Sequence, residues 1–239
     1  DTSGSPRSET SELFKKVPSG HLELIGSNAI RDVKSAPARI VIVEEPDDAT
    51  ENLFEQGDSV KLLYERTKTF LGMGAKRVLG GTPSVKGLSR VEKHIKNSDM
   101  RMLPIACHEC GAKHVLEFEN IQCIEADKDT QPHEKFGWVL PETAMYACPE
   151  PGCGALWDDY ERKENIRNTV LNAIEAGDKN GGWVATQPFK GTAGFLGLGE
   201  IYSCLLGSSM KVLVKKSLEA EYQSRLGDEN EKIVFVNSA

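Results

Sequence analysis

The sequence predicts an α/β fold with an inserted four-cysteine module and a helical segment after it. The first observation is the run Arg39-Ile-Val-Ile-Val43, because consecutive β-branched residues are typical of a strand buried on both faces of a parallel sheet. The second is a helix-spaced segment and another short strand that follow this run. The third is two pairs of closely spaced cysteines, Cys107 with Cys110 and Cys148 with Cys153.

The elements before the cysteines predict a crossover sheet. Apolar residues recur at helical spacing from Ser59 to Leu71, and Lys76 to Leu79 is typical of a second short strand. A strand, a helix and a strand in this order connect parallel strands of one sheet. The other predicted elements are a loop over residues 1 to 20, a strand from His21 to Ile25, a brief helix through Val33, and helices over 88–96, 161–176 and 208–226.

Composition limits the class of protein. With 239 residues and 39% hydrophobic content, the chain can bury the core of one domain plus a smaller module or two. No apolar run approaches the roughly 20 residues that span a bilayer, so we expect no membrane partner. The net charge of -7 argues against a protein that binds nucleic acid with its whole surface. Residues 76–101 nevertheless hold seven basic residues against two acids, which predicts either a solvated face or a local contact with phosphate.

The cysteine pairs predict a structural zinc site. Zinc takes four deprotonated ligands at tetrahedral angles, and a tight turn after one thiolate brings a second one to the same ion. Cys107 and Cys110 have the usual spacing for such a turn. Residues 149–152 contain two prolines and a glycine, which would form a slightly wider turn between Cys148 and Cys153. Four thiolates leave no open coordination position, so the predicted role of the ion is structural.

Other uses of the cysteines stay open. One alternative is that the four cysteines form two disulfides, and another is that they are unrelated buried residues. No signal segment in the sequence points to the oxidising compartment that disulfides require. Nearby histidines that would substitute as ligands are His108, His114 and His133. Cys123 and Cys204 each stand alone in the sequence, without the base partner of a nucleophile, and we interpret both as small core residues.

Acidic and hydroxyl residues follow the two predicted strands. The first strand runs directly into Glu44 and Glu45. In nucleotide-hydrolysing enzymes the first such carboxylate holds Mg²⁺ and the second polarises the attacking water. Acidic residues also follow strands simply to begin a loop. The second strand ends in Gly80-Gly-Thr82, which places Thr82 at the same edge, where it would sense a terminal phosphate, and two matched strand ends favour a nucleotide site.

Segments throughout the chain resemble the large subunit of phage terminase, the lambda-type DNA-packaging ATPase and nuclease. Residues 18–28 are similar to the family's glycine-bearing strand and turn, 37–47 to its Walker B strand, and 81–92 to its coupling motif. The Cys107 knuckle follows at the family's distance. The later segments that resemble the family's connection between ATPase and nuclease are Gly182-Trp183, 188–191, 200–203 and 235–237.

The resemblance implies a partial P-loop (ASCE-type) ATPase sheet with an inserted zinc ribbon-like module and a helical linker. Residues 1–102 would be the carboxyl-terminal part of the ATPase domain, and residues 103–160 the zinc module. Residues 161–239 would complete the ATPase domain and lead to a nuclease domain.

The resemblance also assigns roles to individual residues. Glu44 would bind Mg²⁺ and ATP, Glu45 would be the catalytic glutamate, and Thr82 would couple the phosphate state to movement. Glu44 departs from the family, which has aspartate there, and its extra methylene changes where the carboxylate lies. The family often has serine or threonine where this chain has Gly81. Because glycine has no hydroxyl, the chain would lack a hydrogen bond to phosphate there.

The resemblance further implies an incomplete protein. The chain holds no G-x-x-x-x-G-K-[ST] loop, which the family places upstream of residue 1, and the nuclease would follow residue 239. We therefore expect an internal fragment that hydrolyses nothing by itself, whereas the intact ATPase and endonuclease would package and cut viral DNA.

The resemblance implies a set of partners for the intact subunit. They are double-stranded DNA, a small terminase subunit, the portal ring of the procapsid and further copies of the subunit, in the cytoplasm of an infected bacterial host. Two alternatives stay open. One is a non-enzymatic zinc-ribbon protein that binds nucleic acid through residues 76–101, and the other is an inactive prophage remnant.

Overall fold

A computed structural model describes residues 11–27, 37–55, 57–85, 87–196 and 199–238 of the chain. The chain forms two compact units, Asp1–Val91 and Glu92–Ala239, called here the first and the second unit. Buried apolar side chains form one cluster in the first unit and another in the second. Asn28 and the brief helix predicted through Val33 lie outside the described residues.

The described part of the first unit begins with an antiparallel hairpin. Its strands are β1 (Phe14–Val17) and β2 (Gly20–Glu23). The prediction of a loop over the first twenty residues is therefore wrong for β1. The ring of Phe14 stacks on that of His21 with centroids 4.9 Å apart, and such cross-strand pairs stabilise a hairpin.

The predicted crossover is present in the first unit. Strand β3 (Ile40–Glu44) lies parallel to β4 (Lys76–Gly80), in a register that pairs Glu44 with Gly80. Helix α1 (Ser59–Glu65) lies between them in sequence, and its first turn is capped by the residue before it. Three short 3-10 helices complete the connection, at Pro46–Asp48, Leu53–Glu55 and Lys68–Met73.

Strand β3 is buried on one face only. Val41 and Val43 belong to the core with apolar residues of α1, whereas Ile40 and Ile42 are 54% and 65% exposed. The prediction of burial on both faces is wrong for this strand. In the part of the chain that the structure describes, β3 pairs only with β4, and α1 packs on a single face of the pair.

Helix α2 (Arg90–Lys96) begins in the first unit and ends in the second, and short antiparallel ladders follow it. The strands β5 (Arg101–Met102), β6 (Ile105–Ala106) and β7 (Lys113–His114) come first, with β6 and β7 forming a hairpin. A three-stranded sheet in the order β10-β9-β8 contains β8 (Ile121–Gln122), β9 (Met145–Ala147) and β10 (Leu156–Trp157). The last strand, β11 (Val184–Ala185), pairs with β5.

Within the described residues, three helices complete the second unit: α3 (Asp159–Glu175), α4 (Met210–Arg225) and α5 (Asn230–Ser238). Helix α3 begins at a capping box, in which the side chains of Asp158 and Glu161 each accept a backbone N–H of the other at 2.8 Å. None of the helices in the described ranges is long and apolar enough to cross a membrane.

One hydrophobic core joins the strands and helices of the second unit. It contains the fully buried rings of Tyr146 and Trp157 together with Met210 of α4. Cys107 and Cys148 belong to the same core. The cysteine pairs are therefore attached to the core that also holds the helices.

Candidate functional site

The predicted strand-end residues lie at one edge of the β3–β4 pair. Glu44 is the last residue of β3 and lies opposite Gly80, the last residue of β4. The side chains of Glu44, Glu45 and Thr82 are all exposed at this edge. Because carboxylate oxygens are the ligands that Mg²⁺ prefers, the edge has donors that fit a magnesium–nucleotide complex.

Glu45 and Thr82 are in contact. Glu45 has left-handed backbone angles (φ 46°, ψ 61°), and its N–H donates to the Gly80 carbonyl oxygen at 2.9 Å. One carboxylate oxygen of Glu45 accepts a hydrogen bond from the Thr82 N–H at 3.2 Å. A non-glycine residue in this conformation costs about 1–3 kcal/mol and persists only where its surroundings hold it.

Gly81 permits this contact. A Cβ atom at Gly81 would lie 2.7 Å from a carboxylate oxygen of Glu45 and 3.1 Å from the Cδ of Pro46. Any larger residue would push the Glu45 side chain away. A serine or threonine at this position would therefore not fit the arrangement seen here.

Asp47 is a site residue that sequence analysis missed. Its carboxylate accepts the Ser84 N–H and hydroxyl at 2.9 and 2.8 Å, and the Arg90 and Val91 N–H groups at 2.6 and 3.3 Å. Burial raises the pKa of Asp47, but hydrogen bonds from Ser89, Ser84 and Val91 outweigh it and hold the pKa far below its ordinary value of 3.8. Two features of the sequence could have indicated this role: Asp47 follows Glu45 closely, and Ser84 precedes the predicted helix over 88–96. Carboxylates are stabilised at the amino ends of helices.

The four predicted cysteines come together in the second unit. Their sulfur atoms all lie within 4.8 Å of one another, and the pairs Cys107–Cys153 and Cys110–Cys148 are 3.8 and 3.9 Å apart. A tetrahedral ion with metal–sulfur bonds of about 2.3 Å separates its sulfurs by about 3.8 Å. The four side chains therefore fit a zinc-type ion, and none of them is in a disulfide.

Each pair lies on an equivalent turn between two strands. The Cys107 N–H donates to the Ala112 carbonyl at 2.9 Å, and the Cys148 N–H donates to the Ala155 carbonyl at 2.8 Å. The residues after the second thiol of each pair, Gly111 and Gly154, have φ angles of 73° and 65°. Glycine adopts this region without steric cost, so the repeated Cys-Gly-Ala sequence produces a repeated turn.

The environment of the sulfurs favours metal binding. Burial raises the pKa of Cys107, but the backbone N–H groups of Cys110 and Glu109 outweigh it and lower that pKa to about 7. Burial and the neighbouring thiols raise the pKa of Cys148 to about 12, because clustered thiols do not ionise together without a counter-charge. A divalent cation supplies that charge.

In the described part of the chain, the histidines near the site do not belong to the four-thiol cluster. His108 hydrogen-bonds Asn165 at 3.0 Å, and the ring of His114 lies 5.8 Å from that of Tyr146 in a stacked arrangement. Among the described residues, the four cysteines form the cluster that a metal would bind. Of the remaining cysteines, Cys123 is half-buried, and the prediction of a core position is wrong for Cys204, which is exposed.

Several basic residues of 76–101 contact neighbouring protein groups. Arg77 donates to the Thr67 hydroxyl at 2.8 Å, and Arg90 donates to the carbonyls of Pro46 and Ala49 at 2.6 and 2.7 Å. Arg101 pairs with buried Asp99 at 2.8 Å, Lys96 pairs with Glu92, and Lys86 lies outside the described residues. These contacts leave fewer free N–H donors for phosphate than the sequence suggests, which weakens the alternative of a nucleic-acid-binding stretch.

The fold and the two sites define an α/β protein with a carboxylate-bearing strand edge and a four-thiol centre. The family model of the phage terminase large subunit gpA, ATPase domain, matches residues 1–171, and the chain belongs to this family. Both sites lie inside the matched range. Comparison with curated proteins and with solved structures gave no match. Membership connects the chain with DNA packaging and, through the ATPase domain, with ATP and Mg²⁺.

Proposed function

We propose that the chain supplies the ATP-hydrolysing strand edge and a zinc-stabilised module to a terminase large subunit. The observation that carries the proposal is the contact between Glu45 and Thr82 at the shared edge of β3 and β4, inside the range that matches the family. Two residues far apart in sequence meet there, as a site that links hydrolysis to movement requires.

Each residue at this edge has one proposed role. Glu44 supplies a carboxylate to Mg²⁺, and Glu45 orients and polarises the water that attacks the terminal phosphate. Thr82 responds to the presence of that phosphate. Its N–H contacts the Glu45 carboxylate, so a change at the phosphate would reach the segment that carries Thr82. Bound Mg²⁺ would neutralise charge on the phosphates during their transfer.

We propose a structural zinc ion held by Cys107, Cys110, Cys148 and Cys153. The sulfur separations support zinc, and four thiolates exclude substrate from the coordination sphere. The ion would fasten two hairpin turns to the core that contains Tyr146 and Trp157.

The intact protein would be an ATP-driven motor and endonuclease that packages and cuts double-stranded DNA. This chain would be an internal fragment of it, with residues 1–102, 103–160 and 161–239 as the ATPase, zinc and linker segments. The proposed partners are DNA, a small terminase subunit, the portal ring and further copies of the subunit, in the cytoplasm of the infected host. Membership of the family supports this proposal.

The test begins with the coding DNA upstream of Asp1 in the same frame. A strand, a G-x-x-x-x-G-K-[ST] loop and a helix encoded there support the proposal, and a start codon immediately before Asp1 contradicts it. Binding of a fluorescent ATP analogue is then compared between this chain and a chain extended at its amino end. We expect binding only by the extended chain, whereas DNA binding by this chain without nucleotide would favour a zinc-ribbon binding protein.

A further inference from the structure

Asp47 has a density of contacts that the proposed roles of Glu44, Glu45 and Thr82 do not explain. It lies two residues after Glu45, in the short helix Pro46–Asp48, and faces the segment that carries Thr82. Ser84 donates to one carboxylate oxygen through both its N–H and its hydroxyl. Arg90 and Val91 donate to the other oxygen through their N–H groups.

The same region is held by a second set of bonds. The Arg90 guanidinium donates to the carbonyl oxygens of Pro46 and Ala49, on either side of Asp47 in sequence. It also pairs with Asp58 at 3.0 Å rather than with Asp47. The Asp47 carboxylate therefore accepts hydrogen bonds mainly from backbone N–H groups and hydroxyls, and the Arg90 guanidinium pairs with another acid. Because backbone N–H groups move only with the chain, these bonds fix the positions of the chain segments that carry them.

We propose that Asp47 is a positioning residue for ATP hydrolysis, whose carboxylate holds the turn carrying Thr82 against the strand end that presents Glu45. The inference rests on the proposed function of this edge. In this role Asp47 maintains the geometry of the Glu45–Thr82 contact and does not itself contact the nucleotide.

The spacing makes this role physically direct. Asp47 lies two positions after Glu45 along one segment, and Ser84 lies two positions after Thr82 along the other. A bond between Asp47 and Ser84 therefore restricts both ends of the 3.2 Å contact between Glu45 and the Thr82 N–H. It also restrains the segment in which Glu45 has its left-handed conformation, a conformation that a non-glycine residue keeps only where its surroundings hold it. Misplacing a catalytic group by about 1 Å lowers a rate by up to about a hundredfold.

A carboxylate is needed because each of its oxygens accepts at least two donors. In Asp47→Asn, one oxygen still accepts from Arg90 and Val91, but the amide NH₂ replaces the acceptor that Ser84 uses. The substitution is therefore expected to loosen the Thr82 turn from the strand end, because the Ser84 N–H loses its acceptor, while the α2 contacts remain. Asp48→Asn is the matched control, because the exposed Asp48 lies in the same short helix and makes the same change in charge.

Amide hydrogen exchange in this chain tests the structural half of the inference. Asp47→Asn is expected to speed exchange at Thr82 and Ser84 by about tenfold or more, with β3 protection unchanged and Asp48→Asn like the parent. If Asp47→Asn unfolds β3, Ser84→Ala replaces it, since that variant removes only the hydroxyl bond and should accelerate the same amides less. Unchanged exchange at Thr82 in the folded variants would overturn the inference.

Steady-state ATP hydrolysis by the extended subunit tests the catalytic half. We expect Asp47→Asn to lower kcat by about tenfold with KM for ATP within about twofold, because positioning acts after binding. Glu45→Gln should abolish turnover, and Asp48→Asn should leave it unchanged. Loss of activity in Glu45→Gln with a normal kcat in Asp47→Asn would overturn this inference and keep the proposed function. Full activity of Glu45→Gln would overturn the proposed function and the catalytic role of Asp47 with it.

Discussion

The two candidate sites of this chain are held in place by different means. In the first unit, hydrogen bonds to carboxylates hold the strand edge, and the side chains of Glu44, Glu45 and Thr82 are exposed. In the second unit, two of the four thiols are buried in a core of aromatic and aliphatic side chains. An exposed edge suits a ligand that binds and leaves, whereas four thiols on a buried core suit an ion that stays.

The difference predicts which perturbations each unit tolerates. The second unit would depend on the proposed zinc ion and on well-packed side chains, so its losses should be large and cooperative. The first unit depends on a few bonds to carboxylates, so its losses should be local and should affect chemistry before stability. All three tryptophans, Trp138, Trp157 and Trp183, belong to the second unit, so tryptophan fluorescence reports on that unit alone.

Removal of a thiol ligand should have the largest effect. Cys148→Ser is expected to lose zinc and to unfold the second unit, because structural zinc contributes on the order of 10 kcal/mol to the folding of small domains. Zinc content and tryptophan fluorescence measure the result. Cys204→Ser is the control, since Cys204 is exposed and outside the cluster, and it should keep both properties. A full complement of zinc in Cys148→Ser would show that the four thiols do not share one ion.

Loss of a buried cation should come next. Arg162 is fully buried on α3, where it donates to the carbonyls of Ile201 and Ser208 and pairs with Asp159. Arg162→Met leaves those acceptors without a donor and should destabilise the second unit by about 3–5 kcal/mol in urea unfolding followed by tryptophan fluorescence.

Arg167→Met on the same helix is the matched control. Its side chain is 64% exposed and pairs with Glu164, so the change should cost less than about 1 kcal/mol. Equal effects of the two substitutions would mean that burial in the core of the second unit does not set its stability.

A methyl group at Gly81 should have a smaller, local effect. Gly81→Ala places a Cβ atom 2.7 Å from a Glu45 carboxylate oxygen, and we expect it to destabilise the strand edge by about 1–3 kcal/mol. Hydrogen exchange at β3 and β4 measures the change. Gly72→Ala is the control, because no atom lies within 4 Å of its added Cβ. Identical exchange in the two variants would contradict the close contact.

Lowering the pH should have the smallest effect, and it should destabilise the second unit before the first. Burial lowers the pKa of His114, so the unfolded chain binds its proton more readily and the second unit loses stability as the pH falls below 6.5. The pKa of Asp47 is lowered in the folded chain, so its carboxylate stabilises the first unit, and this stabilisation is lost only as the pH falls below 3.8. Exchange rates measured in both units from pH 7 to pH 4 show the order. His114→Gln should remove part of the acid sensitivity of the second unit, and an unchanged profile would contradict the assignment to His114.

Local patterns in the sequence predicted more of the molecule than long-range contacts did. The spacing of Cys107 and Cys110 depends on one turn, and the crossover from β3 to β4 depends on periodicity, so both were accessible. The five-donor environment of Asp47 was not, since its partners lie 37 to 44 residues away in sequence. The exposed face of β3 was also missed, because a run such as Ile40 to Val43 has the same composition whether one face or two are covered.

The most direct test of the central proposal is single-turnover hydrolysis of ATP by the extended subunit carrying Glu45→Gln. If Glu45 polarises the attacking water, ATP should still bind, and the hydrolysis rate should fall by at least about a hundredfold. Asp48→Asn, measured beside it, should hydrolyse ATP at the parent rate. A Glu45→Gln subunit that hydrolyses ATP at the parent rate would show that the edge formed by β3 and β4 is not where hydrolysis occurs.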